Sequence, residues 1–326
     1  MSPVLIASEV RPKAPECSAF LYDMMTGLAN LPRSVPPKHF YDAAGSALFD
    51  RICELPEYYL TRTELGILHK HAREMAAQIG PQAEIVEFGA GSLTKIRILF
   101  DAFEAADAPR KFLPIDISGE HMNQAARTLQ AHYPRLAVQP IVADYTEPML
   151  LPAPAASGQR VGFFPGSTIG NFEPEDALAF LQQAAQLLRG GGLLIGVDLQ
   201  KAPEVLHAAY NDAQGVTAAF NLNLLRRANA ELAADFDLDA FAHYAFFNPV
   251  RHRIEMHLIS QRRQTVHVGG ETFHLEEGAS IHTESSYKYT VEGFRLLASK
   301  AGFVPGHVWT DEQRYFSVHW LASPAA

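Results

Sequence analysis

The stretch "EIVEFGAGSLTK", Glu84 to Lys95, decides the fold. An apolar run delivers one acid, Glu87, to a glycine turn, Gly89-Ala90-Gly91, and a helical pattern follows. Two glycines let a backbone turn tightly and approach a ligand closely. The full dinucleotide fingerprint, G-x-G-x-x-G, needs a third glycine, and position 94 is Thr. That disfavours a nicotinamide-dependent oxidoreductase, as does the lack of an evident proton donor for hydride chemistry. Ser92 and Lys95 have the S-x-x-K spacing of penicillin-binding enzymes, but no convincing S-D-N or K-T-G partner appears.

Outward from the turn, the chain alternates strand and helix patterns. "AEIVEF" (83–88) reads as a strand and "IRILFDAFEAA" (96–106) as a helix. "KFLPIDI" (111–117) is a strand and "EHMNQAARTLQAHY" (120–133) a helix. "LAVQPIVADY" (136–145) and "RVGFFPG" (160–166) are the third and fourth strands. "PEDALAFLQQAAQLLRGGG" (174–192) is a helix closed by glycine, and "LLIGVDL" (193–199) is the fifth strand. This rhythm argues for a parallel sheet with helices on both faces.

Such sheets bind ligands beyond the C-terminal ends of their strands. Asp116 ends the second strand, and an acid there can accept both hydroxyls of a ribose. Asp144 ends the third, and with Tyr145 could hydrogen-bond an adenine amino group and stack on its ring. Lys95 suits a cofactor carboxylate. The fourth strand stops at Pro165-Gly166, and a small polar run follows, Ser167 to Asn171.

The rhythm stops after Leu199. A long helical region spans 204–232, then come a strand at 253–260 and a hairpin at 265–275 with Gly-Gly at its turn. A helix at 290–302 and strands at 303–309 and 315–322 resume the first style. Residues 18–64 are rich in aromatics and turn signals. The simplest division assigns 65–200 and 289–326 to the α/β domain, and 18–64 and 201–288 to a second, discontinuous α+β domain. Residues 1–17 read as a loose N-terminus.

The 326 residues carry a net charge of −9, which argues against a nucleic-acid backbone or an anionic membrane as partner. Two cysteines, Cys17 and Cys53, are too few for a disulfide framework and fit a reducing, cytoplasmic setting. No apolar run is long enough to span a bilayer. His69 and His71 are two apart on a helix and face different sides, and no H-E-x-x-H or C-x-x-C occurs, so no metal site is expected.

An acid before the first glycine, with acids ending the next two strands, resembles the class I S-adenosylmethionine-dependent methyltransferases. A narrower resemblance rests on "PPKHFYDAAGSALFD", "LPEYYLTRTE", "GSTIGNF", "AYNDAQGVTAAFN" with "ELAADFDLDAF", "RIEMHL" and "TESSYKY". From about Pro36 to the end, the chain resembles the histidine Nα-methyltransferases of ergothioneine biosynthesis. The resemblance implies a Rossmann-like, mostly parallel seven-stranded sheet with an added substrate domain. It implies conversion of L-histidine to hercynine by three successive methyl transfers.

Residue by residue, it implies that Asn171 and Tyr210 hold the α-amino-acid end of the substrate. Tyr41 would sit near the amine, Tyr58 would line the pocket, and Gly166 would leave room at the strand end. Met256 would pack on the substrate side chain, while Glu284 and Ser286 would hydrogen-bond the two imidazole nitrogens. Gly89, Lys95, Asp116, Asp144 and Tyr145 match the cofactor pattern. Ser285 stands where an aliphatic residue is expected, and strand alternation points it away. Relatives act on tryptophan-like substrates, and Glu284 is the residue that argues for imidazole. Another aromatic amino acid as acceptor, or a non-catalytic protein that senses S-adenosylmethionine or an amino acid, are the alternatives. A monomer acting on small molecules is expected.

The chemistry asks for a neutral amine aimed at a sulfonium methyl, and positioning supplies much of the rate. Asn171 therefore reads as an orienter, since an amide takes up no proton at neutral pH. A quaternary ammonium product offers no N–H, and the faces of Tyr41 and Tyr58 can hold it by cation–π attraction.

Overall fold

The computed structural model describes residues 16–117, 119–154 and 158–325. The expected loose segment, 1–17, lies almost wholly outside the described residues. The described chain opens with helix α1 (Glu16–Ala29), a short strand β1 (Arg33–Ser34) and helix α2 (Ala43–Glu54). Asp42 caps α2, its carboxylate accepting from the Gly45 N–H at 2.7 Å. Helix α3 (Tyr59–Ile79) follows, with Leu60, Glu64, Ile67, Leu68 and Met75 on its buried stripe.

The α/β sequence then unfolds as β2 (Glu84–Phe88), α4 (Thr94–Phe100), β3 (Lys111–Asp116) and α5 (Gly119–His132). Next are β4 (Ala137–Val138), β5 (Ile141–Val142), β6 (Arg160–Phe164), α6 (Pro174–Leu187) and β7 (Gly192–Asp198). Helices α7 (Pro203–Tyr210) and α8 (Val216–Glu231) precede strands β8 (Phe241–Asn248) and β9 (Arg253–Ser260). The hairpin β10 (Gln264–Val268) and β11 (Glu271–Leu275) leads to β12 (Ser280–Tyr287). Helix α9 (Val291–Lys300) and strands β13 (Val304–Thr310) and β14 (Phe316–Ala322) close the described chain.

The large sheet runs β13-β14-β7-β6-β2-β3, and β4 and β5 both pair with the far edge of β3. Strands β2 to β7 are parallel, while β14 is antiparallel to β7 and to β13. Every residue of β2, β6 and β7 is buried because helices cover both faces. Ile67, Leu68, Ile96 and Leu99 pack on one face beside Ile85. Ala177, Leu181, Phe294 and Ala298 pack on the other beside Val86.

A second sheet, β1-β12-β9-β8, has its own apolar cluster, built from residues of 20–60 and 206–281. Helix α3 passes from this cluster, at Tyr59 and Leu60, into the core of the large sheet at Ile67 and Leu68.

Four local expectations are corrected. The first helix ends at Phe100 and turns fill the residues to 106. The third strand is two short pieces, because Pro140 between them has no N–H to continue a ladder. The helical region 204–232 is two helices. Between them Gly215 is left-handed at φ 69°, and the Asp212 carboxylate accepts the first N–H groups of α8, Val216 at 2.9 Å and Thr217 at 2.8 Å. Strand β8 was not anticipated; it pairs along its whole length with β9.

Candidate active site

A cavity of about 1430 Å³ opens between the C-terminal ends of β2, β3 and β6 and the face of β12. Tyr41, Gly89, Lys95, Asp116, Asp144, Tyr145, Gly166, Asn171 and Glu284 all line it. Tyr58, Tyr210, Met256 and Ser286 are not on its wall but sit behind it, each 9% exposed or less. The Tyr58 and Tyr210 rings meet edge-on at 6.2 Å, and Met256 pairs with Glu284 across β9 and β12.

At one end the glycine turn shapes the wall. Gly89 has φ 68° and Gly91 φ 51°, a region that favours glycine. A Cβ on Gly89 would stand 3.3 Å from the Tyr145 hydroxyl, so glycine lets that phenol lie against the turn. The Gly91 N–H donates to Asp116 Oδ2 at 3.0 Å. Asp144 accepts from the Thr146 N–H at 3.0 Å and lies 3.8 Å from the Lys38 ammonium. Glu87 is 1% exposed, and its Oε2 has no hydrogen-bond partner. Burial pushes its carboxyl well above the usual range, against the pull of Lys95.

Lys95, expected to meet a cofactor carboxylate, lines the cavity, and its ammonium also pairs with Glu64 at 2.6 Å. Both Glu64 oxygens also accept from the Gly166 N–H, at 2.9 and 3.0 Å. Glu64 thus holds the strand-end turn and the cation together, and the sequence reading missed it. The signal was there: an acid on the stripe of Leu60, Ile67 and Leu68 faces the core, not solvent.

The turn after β6 sets Asn171. Residues Thr168–Asn171 form one turn of 3₁₀ helix. Ser167 is left-handed at φ 56°, and its hydroxyl accepts from the Asp198 N–H at 2.8 Å. A Cβ on Gly170 would come within 2.9 Å of the Tyr287 carbonyl oxygen. Glycine therefore seats the Asn171 turn directly on β12, the strand that carries Glu284.

On β12, Thr283 is an extra residue in the ladder with β9, a bulge between His282 and Glu284. Its hydroxyl donates to Asn221 Oδ1 at 2.7 Å. Past the bulge, Ser285 Oγ lies 3.2 Å from His282 Nε2, while Ser286 Oγ meets Tyr210 and Lys288. The two serines therefore point to opposite faces, as alternation requires. Burial pushes the Glu284 carboxyl up to about 7, and Lys288 opposes it.

Behind Ser286 lies a buried charge network. Asp198, at the end of β7, meets Lys288 at 2.8 Å, Lys201 at 2.6 Å and the Tyr59 hydroxyl at 2.7 Å. Asp198 is 0% exposed.

Among the described residues, one group could ligate a metal: Glu255, His257 and His282, with donor atoms within 4.8 Å of one another. Each is already engaged. Glu255 Oε1 accepts from Arg253 Nε at 2.8 Å, His257 Nδ1 lies 2.6 Å from Ser280 Oγ, and His282 Nε2 lies 3.0 Å from the Glu284 carbonyl oxygen. With the Arg253 guanidinium beside it, the trio is a hydrogen-bonded brace for β12. No helix among the described residues is long and apolar enough to cross a membrane.

A parallel sheet with an antiparallel final strand, and a glycine turn and strand-end acids facing one cavity, defines the class: an S-adenosylmethionine-dependent methyltransferase of class I. Residues 20–323 match the family model described as histidine-specific methyltransferase, SAM-dependent, and the chain belongs to that family. It is 42% identical to the histidine N-alpha-methyltransferase of Mycolicibacterium smegmatis, over 89% of this chain and 90% of that one. It is 39% identical to the protein of the same name from Mycobacterium tuberculosis, over 92% of this chain and 94% of that one. Ergothioneine biosynthesis protein 1 of Neurospora crassa is 33% identical over 89% of this chain, which spans 33% of that longer protein.

The cavity fits the cofactor this family uses. The open glycine turn leaves backbone accessible, Asp116 stands at the strand end, and the partnerless Glu87 oxygen is an unmet buried hydrogen-bonding group on the wall.

Proposed function

We propose that this protein transfers methyl groups from S-adenosylmethionine to the α-amino group of L-histidine, three times in succession. The product is the betaine hercynine, the first intermediate of ergothioneine biosynthesis. The observation that carries this is the buried Glu284 carboxyl group on the wall of the same cavity that the glycine turn lines. A buried acceptor there has use for a ring N–H and none for a hydrocarbon ring. The family match supports the same acceptor.

When bound, S-adenosylmethionine supplies an electrophilic methyl on sulfur. Gly89, Asp116, Asp144 and Tyr145 would hold it, with Lys95 acting through Glu64 to fix the turn at Gly166. Asn171 orients the amine, its place set by the contact of its turn with β12. Burial pushes the Tyr41 phenol well above its ordinary value, so Tyr41 is neutral and acts as a donor and an aromatic face, not as a base. The amine sheds its proton to water. Tyr41 presents its ring to the growing ammonium, with Tyr58 packed behind the wall. Tyr210 would join Asn171 at the α-amino-acid end, and Met256 and Ser286 would meet the substrate side chain, from positions behind the cavity wall. No step calls for a Lewis acid, so we assign no metal.

The separate apolar clusters support a division into 65–200 with 289–326 and 18–64 with 201–288, although helix α3 runs unbroken across the first boundary. We place the enzyme in the cytoplasm as a monomer acting on small molecules.

Incubation with histidine and S-adenosylmethionine, followed by mass analysis, tests the reading. Mono-, di- and trimethylated histidine are expected, and tryptophan should not compete. Methylated tryptophan with untouched histidine would overturn it. Asn171→Ala is expected to lower kcat by about 100-fold through lost aim. Its affinity for S-adenosylhomocysteine should stay within about twofold of wild type, because the cofactor residues are untouched. Undiminished turnover in that variant would remove Asn171 from the mechanism.

A further inference from the structure

Ser286 lies two residues beyond Glu284 on β12, and its neighbours dictate what its hydroxyl can do. The Lys288 ammonium is 2.7 Å from Ser286 Oγ and 3.2 Å from the Tyr210 hydroxyl. An ammonium only donates. Tyr210 accepts from Lys288, and its own O–H points at Ser286 Oγ, 2.8 Å away. Ser286 Oγ accepts twice, from Lys288 and from Tyr210, which fills both lone pairs of a hydroxyl. Only its own O–H remains to be offered. Lys288 cannot turn away to relax this, because its side chain is 0% exposed and tied to Asp198 at 2.8 Å.

We propose that Lys288 and Tyr210 make Ser286 a hydrogen-bond donor only, so that the pocket takes the neutral imidazole in one tautomer, its N–H on Glu284 and its bare nitrogen on Ser286. The proposal rests on histidine being the acceptor and on its ring reaching past Glu284 to the Ser286 hydroxyl behind the cavity wall. An ionised carboxylate only accepts, and this serine only donates. Imidazolium, with N–H at both nitrogens, leaves two donors facing each other at Ser286 and is rejected. Lys288 touches Ser286 and not the ring, so it is a positioning residue that selects a protonation state.

The groups facing Glu284 are Tyr41 and Tyr58 from the N-terminal segment, Tyr210 from the end of α7, and Lys288 just past its own strand. Burial raises all three phenols, which keeps them uncharged at neutral pH. Lys288 is thus the charge that favours the Glu284 carboxylate.

The test counts protons released when histidine binds in the presence of S-adenosylhomocysteine, by calorimetry in two buffers of different ionisation enthalpy. At about pH 6, below the imidazole pKa of about 6.5, most free histidine is imidazolium, and the wild-type pocket must strip that proton. Glu284, which titrates near 7, sheds its own carboxyl proton in wild type and Tyr210→Phe alike, so the difference between them isolates the ring. In Lys288→Met and in Tyr210→Phe, Ser286 regains a lone pair and can accept from the imidazolium. Each variant is expected to release about one proton fewer per histidine bound. A purely structural role would weaken binding without changing the proton count. If Lys288→Met does not fold, Tyr210→Phe, which loses only a hydroxyl, carries the measurement. Equal proton release in wild type and Tyr210→Phe overturns the proposal while leaving the acceptor assignment intact. A wild-type protein that binds no histidine overturns the acceptor assignment, and the inference with it.

Discussion

Replacing Glu284 with alanine is expected to raise the dissociation constant for histidine about 100-fold, with S-adenosylhomocysteine binding within about twofold of wild type. The size follows from the environment. Glu284 is 9% exposed, and an imidazole N–H entering that wall without its acceptor forfeits a charge-assisted hydrogen bond of about 1.5–3 kcal/mol. At 1.4 kcal/mol per factor of ten, that spans about 10- to 150-fold. The pH profile supplies a second reading. Burial holds the Glu284 carboxyl near 7, above its ordinary value, so the wild type loses the ionised acceptor as pH falls through about 7. Histidine affinity should drop over that interval, and the part of the drop owed to Glu284 should vanish in the alanine variant. Calorimetry across the pH range checks both. Unchanged histidine affinity in Glu284→Ala would end the assignment of the imidazole to this strand.

Asp198→Ala is expected to cost about 3–5 kcal/mol of folding stability, read as a lower denaturation midpoint. Asp198 is fully buried and partners two ammonium groups that are themselves almost fully buried. Its removal strands both cations. Burial works to raise the Asp198 carboxyl, but Lys288 and Lys201 outweigh it and hold it below the ordinary value. A depressed carboxyl contributes stability above its unfolded pKa and loses it as pH falls through the folded value. The wild type should therefore lose this contribution only in acid, and the variant should lack it at neutral pH. Equal midpoints for the two proteins near pH 7 would show that the network contributes nothing net.

Most of the α/β half was legible because its signals are local. An apolar run ending in Glu87 and two glycines specifies strand, turn and helix without reference to the rest of the chain. Asp116 and Asp144 were found the same way, as acids ending apolar runs. What escaped depends on distant partners. The pairing of Tyr210 with Ser286 joins residues 76 apart. The bulge at Thr283 exists only relative to β9, and no periodicity within "TESSY" announces it. Pro140 was visible, and its power to split a strand was underweighted. Strand β8 was missed because "FAHYAFFN" places aromatic or apolar residues on both faces, without the clean alternation that marks an amphipathic strand.

Helix α3 has a mechanical consequence. It is 21 residues long, anchored at its start among the aromatics of one core and at its middle beneath the large sheet. A rod of continuous i-to-i−4 hydrogen bonds resists bending where no proline or inserted water interrupts it. The two halves of the molecule are therefore splinted, and product exit has to come from loops yielding at the mouth, not from the halves swinging apart. Amide protons from Glu64 to Leu68 should exchange with deuterium only when the whole chain unfolds, and bound substrates should slow them in step with the slowest amides of the large sheet. Faster local exchange there would mean that the splint flexes.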